Sequence, residues 1–217
     1  MITKRKNKIT LLCGLTLIIA FIIWTLLLCF IDRDNIGPNN STVGFATLNE
    51  YVHELTGTNM TLYALTDWLG IIPIAVAFSF ALLGLVQLIK RKSLLKVDGN
   101  ILFLGAFYVL VILIYLLFEN IVINYRPVLI GGYLEVSYPS STTMLTMCVM
   151  PTSLMQLNCR VSNQALKRFI TVSIFLFTAF MVVGRIISGV HWITDIIGGA
   201  LISAGLVLTY HSLVKFK

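Results

Sequence analysis

Charge is scarce in this sequence, and negative charge scarcest. Of 217 residues, 12% are Asp, Glu, Lys or Arg, about half the share of a soluble domain. That shortage excludes a soluble globular enzyme with a hydrated, charged surface. Nine acidic residues stand against sixteen basic ones, for a net charge of +7. Cysteine is sparse as well. Cys13, Cys29, Cys148 and Cys159 form no Cys-x-x-Cys pair, which speaks against a disulfide scaffold or thiolate metal site and makes them small apolar residues. The three histidines, His53, His191 and His211, are far apart in the chain, so no metal site is expected. No internal repeat is present, and polar stretches are too short for a second soluble domain.

What fills the chain is hydrophobic: 58% of residues, with a mean hydropathy of +0.92. A helix needs about 20 apolar residues to cross the hydrocarbon core. Six candidate spans satisfy or approach this, at about 9–30, 67–89, 101–123, 142–158, 169–187 and 193–214. Lipid forces backbone groups to pair within each segment, so the expected fold is an all-α integral membrane bundle of six transmembrane helices. Residues 1–217 form one domain: 1–66 supply the first span and an outer loop, and 67–214 a five-helix core. The first span follows "KRKNK" but is too long for a signal-peptide core and has no small-x-small site after it; it reads as uncleaved. The short fourth span contains Pro151, where a kink is expected.

Alternating six spans places thirteen of the sixteen basic residues on the side of the two termini, leaving Arg33, Arg126 and Arg185 opposite. Eight of the nine acids fall on that opposite side. This positive-inside pattern puts both termini in the cytoplasm. The basic balance therefore concerns topology and anionic headgroups, not nucleic acid. Short loops and the lack of an organelle signal suit a bacterial plasma membrane. In the outer loop, "FATLNEYVHELTG" spaces Phe45, Leu48, Tyr51, Val52 and Leu55 as a short amphipathic helix lying in the interface. His53 there reads as a surface side chain, and His211 as an interfacial one.

Three polar patches collect on the outer side. "ENIVINYRP" ends the third span, "SYPSSTTM" precedes the fourth, and "GRIISGVHWITD" links the fifth and sixth. Ionisable groups at membrane depth are costly and tend to face a polar cavity. Arg126 and Arg185 can clamp a phosphate by charge-assisted hydrogen bonds. Ser140, Ser141 and Thr142, with backbone N–H groups at a helix start, add donors for anionic oxygens. His191 and Asp195, four apart, share a helix face, so the Asp can fix one ring nitrogen and leave the other free as nucleophile or base. Arg185 and His191 lie about 240° apart on one helix, and Gly189 offers the break that would bring them together.

In order, side and spacing these patches resemble the type-2 phosphatidic acid phosphatase superfamily of membrane lipid-phosphate phosphatases. Its motifs are Lys-x6-Arg-Pro, Pro-Ser-Gly-His and Ser-Arg-x5-His-x3-Asp. The resemblance covers about residues 67–214. It implies that His191 attacks phosphorus to form a phosphohistidine, oriented by Asp195, that Arg126, Arg185 and Ser140 hold the phosphate, with Ser141 at the Gly position, and that no cofactor is needed. Three positions depart from the motifs. Glu119 stands for the Lys, Gly184 for the third-motif Ser, and Thr142 for the His that protonates the leaving group. A Thr hydroxyl is no general acid near neutral pH. Glu135 could supply a proton, though its place reads as loop surface. A diphosphate expels a phosphate with a last pKa of about 6, whereas an alkoxide's conjugate acid has a pKa on the order of water's 15.7. The expected substrate is therefore a phosphorylated lipid, a polyprenyl diphosphate before a phosphatidic acid. The alternative is a catalytically impaired phospholipid-binding or accessory membrane protein.

Overall fold

The computed structural model describes residues 2–214, with side chains from residue 5; of the charges counted above, the Lys4 side chain and residues Lys215 and Lys217 lie outside what is described. The described chain forms eight α-helices: α1 Ile2–Phe30, α2 Ala46–Thr56, α3 Met60–Leu69, α4 Ile71–Arg91, α5 Gly99–Asn120, α6 Ser141–Arg160, α7 Gln164–Ile187 and α8 Ile193–Leu213. Pairing between extended segments is limited there to isolated bridges such as Asp34–Val43 and Tyr125–Val136.

Five helical stretches are long and apolar enough to cross a membrane: Arg5–Phe30, Met60–Arg91, Gly99–Asn120, Gln164–Ile187 and Ile193–Leu213. Their outward faces carry large exposed side chains, among them Phe78, Ile89, Phe103, Leu113 and Phe175, which cost nothing against lipid. The expected fourth span is α6. Its apolarity is low because its polar residues point inward: Thr143, Thr146, Thr152, Ser153 and Gln156 are all buried. Thr152 and Ser153 turn their hydroxyls onto the Cys148 and Met150 carbonyls, the usual way to satisfy hydroxyls inside an apolar bundle. Pro151 lies inside this helix.

The middle of the bundle is α8, buried along most of its length, with α1 and α6 packed against it. Around this core stand α4, α5 and α7. The expected second span begins earlier than residue 67. Asn59 caps α3 by accepting from the Leu62 N–H, so the helix starts at Met60, and after a turn at Gly70 α4 completes the stretch. Tyr63 thus belongs to a helix, not a loop, on the same helix as Asp67, and the 66/67 boundary falls inside α3.

The amphipathic helix forms as α2 and docks by its small and polar side. Ala46 and Asn49 are buried, while Leu48, Tyr51 and Leu55 face outward. The Asn49 side-chain amide donates to the Gly44 carbonyl at 2.8 Å and to Thr194 Oγ1 at 3.0 Å, tying α2 to the start of α8. At the opposite end of the bundle, Arg91 pairs with Asp98 at 2.7 Å, and Gln156 donates to the Asn100 carbonyl and the Tyr210 hydroxyl. The basic connectors therefore gather at one end and the three polar patches at the other.

Candidate functional site

The break expected near Gly189 is present. Helix α7 stops at Ile187, and Gly189 adopts a φ of +61°. A Cβ there would fall 1.8 Å from the Gly57 carbonyl oxygen, so both the backbone conformation and the close approach demand glycine. The chain then turns through His191 and enters α8 at Trp192. The Trp192 N–H donates to Asp195 Oδ2 at 3.0 Å. The Asn124 amide donates to Asp195 Oδ1 at 3.4 Å. A fully buried carboxylate is tolerable only with such partners. Asp195 Oδ2 lies 3.7 Å from His191 Nδ1, an electrostatic contact longer than a hydrogen bond.

Arg126 arrives from the loop after α5. Its backbone N–H donates to the Glu135 carbonyl at 3.0 Å, and the Ser137 N–H donates to the Asn124 carbonyl at 3.0 Å. The Trp192 indole pins this loop through the Tyr125 carbonyl at 2.7 Å. These bonds bring Arg126 Nη1 within 3.2 Å of His191 Nε2. A guanidinium has no acceptor, so Arg126 donates and Nε2 accepts. The imidazole proton therefore sits on Nδ1, facing Asp195. Burial, together with the Arg126 and Arg185 charges, holds His191 well below the ordinary imidazole value. It is neutral at pH 7, with its Nε2 lone pair directed at Arg126.

Arg185 lies at the end of α7 and is 1% exposed. Its Nη2 donates to Thr142 Oγ1 and, at 3.0 Å, to Asp67 Oδ1. Its Nε and Nη1 are buried without a protein acceptor, which leaves two donors of the fork unused. Tyr63 is near both arginines, with the Arg126 and Arg185 guanidinium carbons 5.8 and 5.0 Å from its ring centre, within cation–π range. Arg126 Nε is 3.0 Å from Glu135 Oε2, an ion pair without hydrogen-bond alignment.

The hydroxyl cluster divides. Ser140, the N-cap of α6, is fully buried; its N–H donates to the Asp195 carbonyl at 3.1 Å, and its hydroxyl has no partner. Ser141 lines a shallow cleft with Arg126, His191 and Glu119. Thr142 turns to Arg185. The seven residues singled out in the sequence thus converge on one end of the bundle. Tyr63, Asp67, Asn124 and Glu135 are there as well. Asp67 carried a signal that could have been read: an acid four residues from Tyr63 at the edge of an apolar run, hence on one helix face. His53, half-buried, packs edge-on against Trp192 at 5.6 Å between centroids, and burial lowers its pKa.

A family model for the PAP2 superfamily matches residues 74–217. In fold the chain is similar to the crystal structure of a transmembrane PAP2-type phosphatidylglycerolphosphate phosphatase from Bacillus subtilis, with a TM-score of 0.56 over 92% of this chain and 93% of that one. The two are 17% identical, so the likeness is one of architecture. No curated protein matches the sequence.

Proposed function

The chain belongs to the PAP2 superfamily, and on that premise we propose that it is a membrane phosphatase acting on a phosphorylated lipid through a phosphohistidine. The observation that carries this reading is the state of His191. It is neutral, its proton faces Asp195, and Nε2 bears a lone pair beside a guanidinium. An arriving phosphate exchanges with that lone pair for Arg126 and finds the unpaired donors of Arg185. Nε2 then bonds to phosphorus as the ester or anhydride bond breaks. Asp195 stabilises the charge that the ring acquires. Water next attacks phosphorus, the N–P bond breaks, and phosphate leaves. No step draws on a cofactor. On this reading the chain crosses the membrane six times, α6 being the fourth crossing, with both termini cytoplasmic and the site at the outer surface of a bacterial plasma membrane, where lipid headgroups reach it.

With Thr142 where the family has its acid, a lipid diphosphate is the favoured class, because its phosphate leaving group departs unprotonated near neutral pH. Phosphate release by the purified chain from a prenyl diphosphate and from phosphatidic acid, with His191→Ala as control, tests this. Faster release from the diphosphate, abolished by the substitution, is expected. Equal or faster release from phosphatidic acid would sink the preference. No release from either would leave the second reading, a phospholipid-binding protein, which the Glu119 and Thr142 replacements favour.

A further inference from the structure

Two departures from the family pattern, Thr142 and Gly184, meet at one place in the fold, and α3 is what they meet. A Cβ on Gly184 would lie 2.8 Å from Thr66 Cγ2. A serine side chain at this position would push α3 away from α7. With glycine there, α3 seats against α7, and the residue after Thr66 reaches Arg185. One nitrogen of that guanidinium, Nη2, then holds both Asp67 Oδ1 and Thr142 Oγ1. The carboxyl therefore stands beside the very position where the motif carries its acid. Asp67 also lies outside residues 74–217, the part matched by the family model. It is a contribution of this chain's own α3.

We infer that Asp67 is the general acid of this site, giving the leaving alkoxide of a lipid phosphomonoester the proton that Thr142 cannot supply. The inference rests on the phosphatase reading above and not on its preference for a diphosphate, whose ground a working acid removes. Geometry separates Asp67 from the other two carboxylates nearby. An in-line displacement puts the leaving oxygen on the side of phosphorus opposite the nucleophile. Arg126 marks the nucleophile's side, since its Nη1 touches His191 Nε2. Glu135 sits on the Nε of that same Arg126, and Glu119 shares a cleft with His191 and Arg126. Asp67 sits on Arg185, on the same nitrogen that holds Thr142. Its side chain is 58% exposed, open to an arriving substrate.

The proton balance closes. A phosphomonoester, with a second pKa of about 6, arrives in part as the monoanion. Its phosphate takes the Arg185 donors from Asp67, and its proton passes to the released carboxylate. Nε2 of His191 bonds to phosphorus, the P–O bond to the lipid breaks, and the alkoxide leaves as the alcohol with the Asp67 proton. In the second half, water bonds to phosphorus as the N–P bond breaks, and its protons leave with the phosphate. Dihydrogen phosphate, neutral His191 and an ionised Asp67, again paired with Arg185, result.

The test compares leaving groups on the full chain in detergent: phosphatidic acid, a nitrophenyl phosphate whose phenolate needs no proton, and a prenyl diphosphate. For Asp67→Asn, kcat on phosphatidic acid should fall about 10²-fold or more, the lower range for losing a general acid. The other two substrates should lose much less than phosphatidic acid does, and an unchanged melting temperature certifies the fold. Asp67→Glu, keeping a carboxyl, should recover part of the loss. A loss of equal size on all three substrates would mean that Asp67 only positions Arg185, and would overturn the inference. So would a selective loss in Glu135→Gln or Glu119→Gln with Asp67→Asn unaffected. Wild-type turnover of the diphosphate without any of phosphatidic acid would overturn the acid and spare the phosphatase. A wild type inert on all three would overturn both.

Discussion

Arg185 is a residue whose identity matters more than its charge. Its buried fork reaches Asp67 and Thr142 from one nitrogen and keeps Nε and Nη1 free for an acceptor. A lysine would keep the charge as a single point and could not span these partners. Hydrogen bonds to charged groups contribute about 1.5–3 kcal/mol each, so losing one in the bound state lowers kcat/KM by about 10–150-fold. Arg185→Lys should show that fall in phosphate release, most of it in KM. An unchanged kcat/KM would remove Arg185 from the proposed phosphate site. At this scale the sequence was legible where spacing is local. His191 and Asp195 share a turn, and Gly189 announced the break before them. The pairing of Asp67 with Arg185 was not legible, because the two lie 118 residues apart and nothing in a short window links them. Thr142 looked like a plain loss until Arg185 was seen to hold its hydroxyl.

Helix α3 shows how a short element can be misjudged by hydropathy. Its apolar residues continue into α4, but the span expected at about 67–89 leaves residues 60–66 in the outer loop. The cap at Asn59 and the packing of Thr66 on Gly184 define the element instead, and both are contacts rather than compositions. Helix α6 makes the converse point. Its buried hydroxyls lower its hydropathy although it lies within the bundle. The packing of α3 on α7 can be tested directly. Gly184→Ser restores the family residue but inserts atoms into a full contact, and overpacking costs about 1–3 kcal/mol. Its melting temperature in detergent should fall. Its phosphatidic acid turnover should fall further than its diphosphate turnover, because Asp67 is carried away from Arg185. A variant with wild-type melting and wild-type selectivity would show that α3 yields without consequence.

Over the whole molecule, charge is segregated by end, and the site end carries two histidines kept neutral by their surroundings. Burial lowers the pKa of His53, and burial with the two guanidiniums lowers that of His191. The unfolded chain has no such environment and binds those protons near the ordinary value of about 6.5. Below that value the unfolded state therefore holds more protons than the folded one, and stability falls as pH falls. Asp98 adds to the same trend lower on the scale. Its hydrogen bond from Arg91 holds its carboxyl below the ordinary value, so its contribution is present above the unfolded pKa of about 3.9 and is lost as pH falls through the folded one. The chain should accordingly melt at a lower temperature at about pH 5 than at about pH 7.5, with the decline starting near 6.5. Two substitutions isolate the cause. His53→Gln and His191→Gln each remove a group that resists protonation, so each should flatten the slope between those values, His191→Gln the more because its shift is the larger. If both variants kept the full wild-type slope, the acid sensitivity would come from neither histidine, and the neutral His191 on which the phosphohistidine reading depends would lose its physical support.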